Sequence, residues 1–184
     1  MTNILEQLSW LSIPFVVTHC SNDKHFLKLA YGYGNSTSPD PSTKNGAVLV
    51  GSDNKIIVYG TNKFPNGIAE TQPRLNNKFI KYATIIHAEN ETILNAARLG
   101  KSTNNSVLYC PFLTCSECAK AIIQAGINKI VGHAQLMAIA STHTVWTESI
   151  RHGLKMTCEA GIKCALFDGT IGIMTRLNNM DIEV

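Results

Sequence analysis

The sequence predicts an α/β domain in which one sheet is covered by helices on both faces. Three observations carry that prediction. From residue 87 onwards, stretches with helical periodicity alternate with short runs of β-branched residues. Each helical stretch closes on a glycine (Gly100, Gly126, Gly161), the residue that most readily takes the left-handed turn after a helix. Upstream, apolar runs at residues 47–50 and 56–59 flank a turn at 51–54, which reads as an antiparallel hairpin. Strand–helix alternation after a hairpin argues for a mixed sheet of about five strands. The 184 residues suit a single domain spanning 1–184.

Taken in order, residues 10–17 are apolar but few and broken by Pro14, so they read as a strand or a core-covering segment. They fall short of the roughly 20 apolar residues of a membrane span and lack the basic start of an export signal. Residues 23–31 set Phe26, Leu27 and Ala30 on one face of a short helix. Residues 32–45 are rich in turn formers and read as a functional loop. Residues 60–81 read as polar and irregular, interrupted by Pro65, Gly67 and Pro73. Then follow a helix over 87–99, a strand over 107–110 and a helix over 115–125 with Thr114 as its N-cap. A strand over 128–131, a helix over 144–160 and a strand over 162–167 complete the order α-β-β-α-β-α-β-α-β.

Composition narrows the function. Apolar residues make up 45% and charged residues 16%, against a usual charged share of about 25%, which excludes a disordered chain. The net charge is +3 with no long basic block, which disfavours binding to polymeric nucleic acid. Six cysteines are too sparse for a secreted disulfide framework. They read as thiols in a cytoplasmic protein, where any close pair is a metal or redox candidate.

Two clusters stand out by position. His87 and Glu89 open one helix; Cys115 and Cys118 open the next, with one strand between. Two cysteines three apart share a side of the first turn, and the positive helix end favours their thiolates. Starts of successive helices in a parallel α/β layer lie at the same sheet edge. One imidazole and two thiolates leave the fourth tetrahedral position of a zinc ion to water, as a catalytic zinc requires. Glu89 stays in the same turn without needing to bind metal, where it can take a proton from water and pass it to a leaving amine. Alone, the Cys-x-x-Cys also suits a redox pair or half of a structural zinc site, and His-x-Glu occurs by chance in many helices. Together they are the mark of zinc deaminases, which replace the amino group of a nucleobase with oxygen and release ammonia. Cys20, Cys110, Cys158 and Cys164 read as small buried groups, and His19, His25, His133, His143 and His152 as surface or core histidines.

Residues 38–50, 60–67, 87–89 and 115–127 resemble the deoxycytidylate deaminase family in order and spacing, and the resemblance covers residues 26–167. It implies a three-layer α/β/α cytidine-deaminase-like fold, one catalytic zinc on His87, Cys115 and Cys118, and Glu89 as proton shuttle. It also implies a homo-oligomer acting on a free pyrimidine nucleotide, dCMP to dUMP. Asn62 falls on the family's Gly-x-Asn motif, a sugar-hydroxyl or base contact. Phe112 falls where related deaminases set an aromatic against the base, and core packing explains it equally well. Departures cluster on substrate or effector surfaces: Thr114 replaces a proline, Asn90 and Glu91 follow His-Ala-Glu, Asn45 replaces a common valine, and Lys63 ends the Gly-x-Asn run. Glu91 would repel a phosphate if it faced the pocket. Lys44, Lys63, Arg74, Lys78, Lys81 and Lys120 flank the loops that resemble nucleotide contacts. Other readings are a deaminase of cytidine, guanine or tRNA adenosine, a non-catalytic nucleotide-binding zinc protein, and a thiol-redox domain.

Overall fold

A computed structural model describes residues 4–140 and 144–184. His143 lies outside the described residues. Six strands form one mixed sheet in the order β1-β6-β5-β4-β2-β3. They are β1 (Val16–Thr18), β2 (Gly46–Val50), β3 (Ile56–Thr61), β4 (Val107–Tyr109), β5 (Lys129–His133) and β6 (Lys163–Phe167). Strands β1, β6, β5 and β4 run parallel, and β2 lies antiparallel between β4 and β3. The expected sheet of about five strands gains its sixth from the end of the N-terminal apolar segment. There Val16 pairs with Ala165 and Thr18 with Phe167. A three-residue edge strand has too little periodicity to announce itself; its partner makes it a strand.

The pleat of β2 divides the interior in two, because successive side chains point to opposite faces. Ala47 and Leu49 join the core that holds Ala88 and Ala96 of α5 (Ala88–Arg98), Cys118 and Ile122 of α6 (Ser116–Gln124) and Leu154 of α8 (Thr144–Glu159). Val48 and Val50 join the other, with Phe26, Leu27, Ala30 and Tyr31 of α2 (Ser21–Thr37). Sealing a side chain such as Leu27 completely contributes about 1.5–3 kcal/mol. The arrangement is the three-layer α/β/α fold. Gly126 (φ 70°) and Gly161 (φ 76°) follow α6 and α8 in the left-handed region, as helix stops require.

Elsewhere the structure corrects the sequence reading. Helix α2 runs six residues past Tyr31, through two glycines that read as turn formers. Gly34 serves close approach instead: a Cβ there would sit 2.6 Å from the Asn45 carbonyl carbon and the Gly46 nitrogen. The stretch read as irregular folds into α3 (Gln72–Asn76) and α4 (Lys78–Thr84), the latter capped by Asn77, whose Oδ1 accepts from the Ile80 N–H at 3.2 Å. Cys115, not Thr114, occupies the N-cap of α6. Two short helices, α1 (Ile4–Gln7) and α7 (Ala134–Ala140), had no sequence counterpart. Neither did a C-terminal hairpin of β7 (Met174–Leu177) and β8 (Met180–Glu183), which turns on Asn178 and Asn179 at φ 51° and 67°. Among the described residues, no helix is long and apolar enough to cross a membrane.

Candidate metal centre and substrate cavity

His87 and Cys115 occupy equivalent places, the N-caps of α5 and α6, with extended backbones that aim both side chains at the same sheet edge. Nδ1 of His87 lies 3.4 Å from Cys115 Sγ and 3.5 Å from Cys118 Sγ. All three ligand atoms fall within 4.8 Å of one another, the only His/Cys/Asp/Glu cluster of this kind among the described residues. Helix α5 can come this close to the sheet because β3 presents a glycine. A Cβ at Gly60 would meet Thr92 Oγ1 at 2.2 Å and the Ala88 carbonyl oxygen at 2.5 Å.

As free side chains, the three groups share protons with one another. A bond from the Cys118 thiol, reinforced by His87, holds the Cys115 thiol down at about 4, whereas Cys118 is driven far up. Burial works to lower the His87 pKa, yet its bond to the Cys115 sulfur and the Glu89 charge raise it to about 9. Glu89, 4% exposed, is pushed up by burial. Two sulfurs and an imidazole nitrogen gathered around one point fit a zinc ion, which all three could hold.

A cavity of about 160 Å³ opens onto this cluster. His87, Glu89 and Cys115 line it, together with Phe112 and Leu113. A further stretch of wall is Asp40, Ser42, Thr43 and Asn45 of the loop after α2, with Lys81 and Tyr82 of α4. Asn62 lines the cavity with its amide already engaged: Oδ1 accepts from the Asn45 N–H and Nδ2 donates to the Thr43 carbonyl, both at 2.9 Å. These two bonds tie Asn62 into the wall. Of the six basic residues noted in the sequence, Lys81 lines the cavity, its ammonium 3.1 Å from Asp40 and 2.8 Å from Ser42 Oγ. Lys44, Lys63, Arg74 and Lys120 bond to Ser38, Glu91, Ala69 and Glu117. Glu91 does not line the cavity; it accepts from the Thr61 N–H at 2.6 Å and pairs with Lys63 at 3.5 Å.

Several lining residues carried no sequence signal. Trp146 of α8 sets its ring 5.4 Å from His87 and 5.6 Å from Tyr82, edge to face with both. Leu177 and Asn178 come from the C-terminal hairpin, which also grips the loop wall. Lys44 N–H donates to the Arg176 carbonyl at 2.8 Å, and Asn179 N–H to that of Ser42 at 2.9 Å. Asn178 N–H reaches Thr43 Oγ1 at 3.2 Å. A hairpin more than a hundred residues from the loop it braces leaves no local pattern to read.

The profile of the cytidine and deoxycytidylate deaminase zinc-binding region matches residues 20–134. The deoxycytidylate deaminase of Pongo abelii is 34% identical over 113 residues, which are 59% of this chain and 62% of that protein. The chain thus spans less than two thirds of the length of that relative. An uncharacterized deaminase from the luxG 3′ region of Aliivibrio fischeri is 34% identical over 140 residues, 76% of this chain and 89% of the relative. Among solved structures, the dCMP deaminase of cyanophage S-TIM5, in complex with dCMP and dUMP, superposes with a TM-score of 0.57 at 23% identity. That superposition covers 77% of this chain and 94% of the phage protein, and it shows the shared fold.

Proposed function

The chain belongs to the cytidine and deoxycytidylate deaminase zinc-binding family, and on that footing we propose that it hydrolyses dCMP to dUMP and ammonia. The observation that carries this reading is a buried carboxylate, Glu89, beside a His/Cys/Cys cluster in the lining of one cavity. His87, Cys115 and Cys118 hold the metal. Zinc, when bound, supplies the Lewis acidity that lets water attack at neutral pH. Glu89 carries one proton from the water to N3 of cytosine as the water oxygen bonds to C4 and the C4–N3 double bond opens. It then carries the remaining hydroxyl proton to the amino nitrogen. The C4–N bond then breaks, ammonia leaves, and C4 keeps the oxygen as a carbonyl. Phe112 offers an apolar face to the base, and Asn62 keeps the loop wall in register. Support for a monophosphate rather than a bare nucleoside comes from the deoxycytidylate deaminases among the relatives, the Lys81 charge on that wall being already answered by Asp40.

Self-association is part of this reading. Phe79 is 83% exposed on α4, with Ile80 and Tyr82 exposed nearby, a patch suited to a second copy. Cysteines outside any disulfide, among them Cys110 and Cys164, suit the cytoplasm. The deciding experiment is ammonia release from dCMP by the zinc-loaded protein, with Glu89→Ala alongside. Release that vanishes in the variant while zinc stays bound supports the assignment. A folded, zinc-containing protein that leaves dCMP untouched sinks the substrate and turns attention to another base.

A further inference from the structure

Helix α8 lies outside the motifs that mark the site, yet one of its faces builds the back of the metal cluster. Trp146, Ser149, Ile150 and Gly153 fall at i, i+3, i+4 and i+7, a single stripe. Ser149 Oγ lies 3.2 Å from the Ser116 backbone nitrogen and 2.9 Å from Ser116 Oγ. Ser116 is the first residue of α6, so its N–H is one of the donors that a helix start leaves without a partner. An N-cap side chain reaches the N–H of the second or third helical residue rather than the first. The cap here, Cys115, makes no capping bond and turns its sulfur to His87, so the Ser116 N–H takes its acceptor from α8. Four residues beyond Ser149, a Cβ on Gly153 would stand 2.6 Å from the Cys115 carbonyl carbon and 2.7 Å from its oxygen. One turn before Ser149, Trp146 rests its ring edge to face against His87, 5.4 Å away.

We propose that the Trp146–Ser149–Gly153 face of α8 is a positioning device for the metal cluster: Ser149 ties down the first N–H of α6 next to Cys115, Gly153 lets α8 lie on the Cys115 backbone, and Trp146 fixes the imidazole. The inference rests on the metal assignment above but not on the substrate. Groups that orient metal ligands typically change affinity by about 10–100-fold when removed.

The test measures zinc affinity by chelator competition and the visible spectrum of the cobalt-substituted protein. Ser149→Ala is expected to stay folded, bind zinc about tenfold more weakly and shift the thiolate–cobalt bands. Ser149→Thr, which restores an oxygen, returns both to their starting values. Gly153→Ala displaces Cys115 and gives the larger change, or fails to fold, in which case the Ser149 pair decides. Leu154→Ala, which removes a buried side chain from the same helix, lowers the melting temperature but leaves the cobalt bands in place. Unchanged affinity and bands in Ser149→Ala overturn the proposal, as do bands that move equally in Leu154→Ala. An unsubstituted protein that binds no zinc overturns the metal assignment and this inference with it, whereas failure to deaminate dCMP touches neither readout.

Discussion

His87, Glu89, Cys115 and Cys118 all lie within one turn of a helix start, whereas the loop wall of the adjoining cavity gathers from four separate stretches of chain. At the metal end, two helices repeat one device: an N-cap ligand with a second functional residue in the first turn. At the other end, the loop at 38–45 keeps its shape through Asn62 from beyond the hairpin, Lys81 from α4 and the carbonyl of Arg176 near the C-terminus. The first region is specified by spacing along the chain, the second by contacts across it. Substitutions at the metal end should therefore strike turnover with little effect on substrate affinity, and those in the wall should do the reverse.

The sharpest break in that contrast comes from the metal end. Glu89→Gln should lower ammonia release by about 10²–10⁴-fold, the usual range for a lost general acid–base group, while zinc content by elemental analysis stays constant. Cys118→Ala should lose the zinc as well. A Glu89→Gln protein that keeps its rate but fails to bind nucleotide would move Glu89 into the wall's role.

Next in size is the buried pair of Asp40 and Lys81, whose ammonium is almost fully enclosed. Asp40→Ala strands that cation and should cost about 3–5 kcal/mol in denaturant unfolding, with zinc still bound in the folded fraction. The double change Asp40→Ala/Lys81→Met should recover much of the loss, since no unpaired charge remains. Additive losses would show that the two do not act as a pair.

A smaller effect is expected at Asn62. Asn62→Ala leaves the Asn45 N–H and the Thr43 carbonyl without their partner, worth about 1–3 kcal/mol. Its kinetic sign is a raised KM at nearly constant kcat; the opposite split would make Asn62 part of the chemistry rather than of the wall.

The smallest lies outside both regions. His133 is buried, accepting from Tyr31 O–H at 2.9 Å on Nδ1 and donating from Nε2 to the Gly169 carbonyl at 2.9 Å. Burial lowers its pKa, so the unfolded chain binds more protons than the folded one as pH falls below about 6.5. Its contribution to stability is complete above that pH and is lost as pH drops towards the lowered folded value. Thermal unfolding of His133→Gln should show a shallower acid decline than the unsubstituted protein; parallel curves would remove His133 from the account.

The sequence alone determined the alternation of strands and helices, the hairpin and the four residues of the metal end. Those rest on periodicity, glycine stops and i, i+3 spacing, which are properties of neighbouring residues. Thr114 shows how near the local reading came: it is a better capping side chain than cysteine, yet the cap position went to Cys115, one residue on. Glu91 shows where such reading stops, because its side chain turns to Thr61 and Lys63 and leaves the cavity. Only the tertiary structure decided the sixth strand, the part played by Trp146 and Ser149, and the C-terminal hairpin's grip on the substrate wall. An edge strand exists by virtue of its partner, and a wall built from segments over a hundred residues apart is fixed by packing and hydrogen bonds that no local pattern encodes.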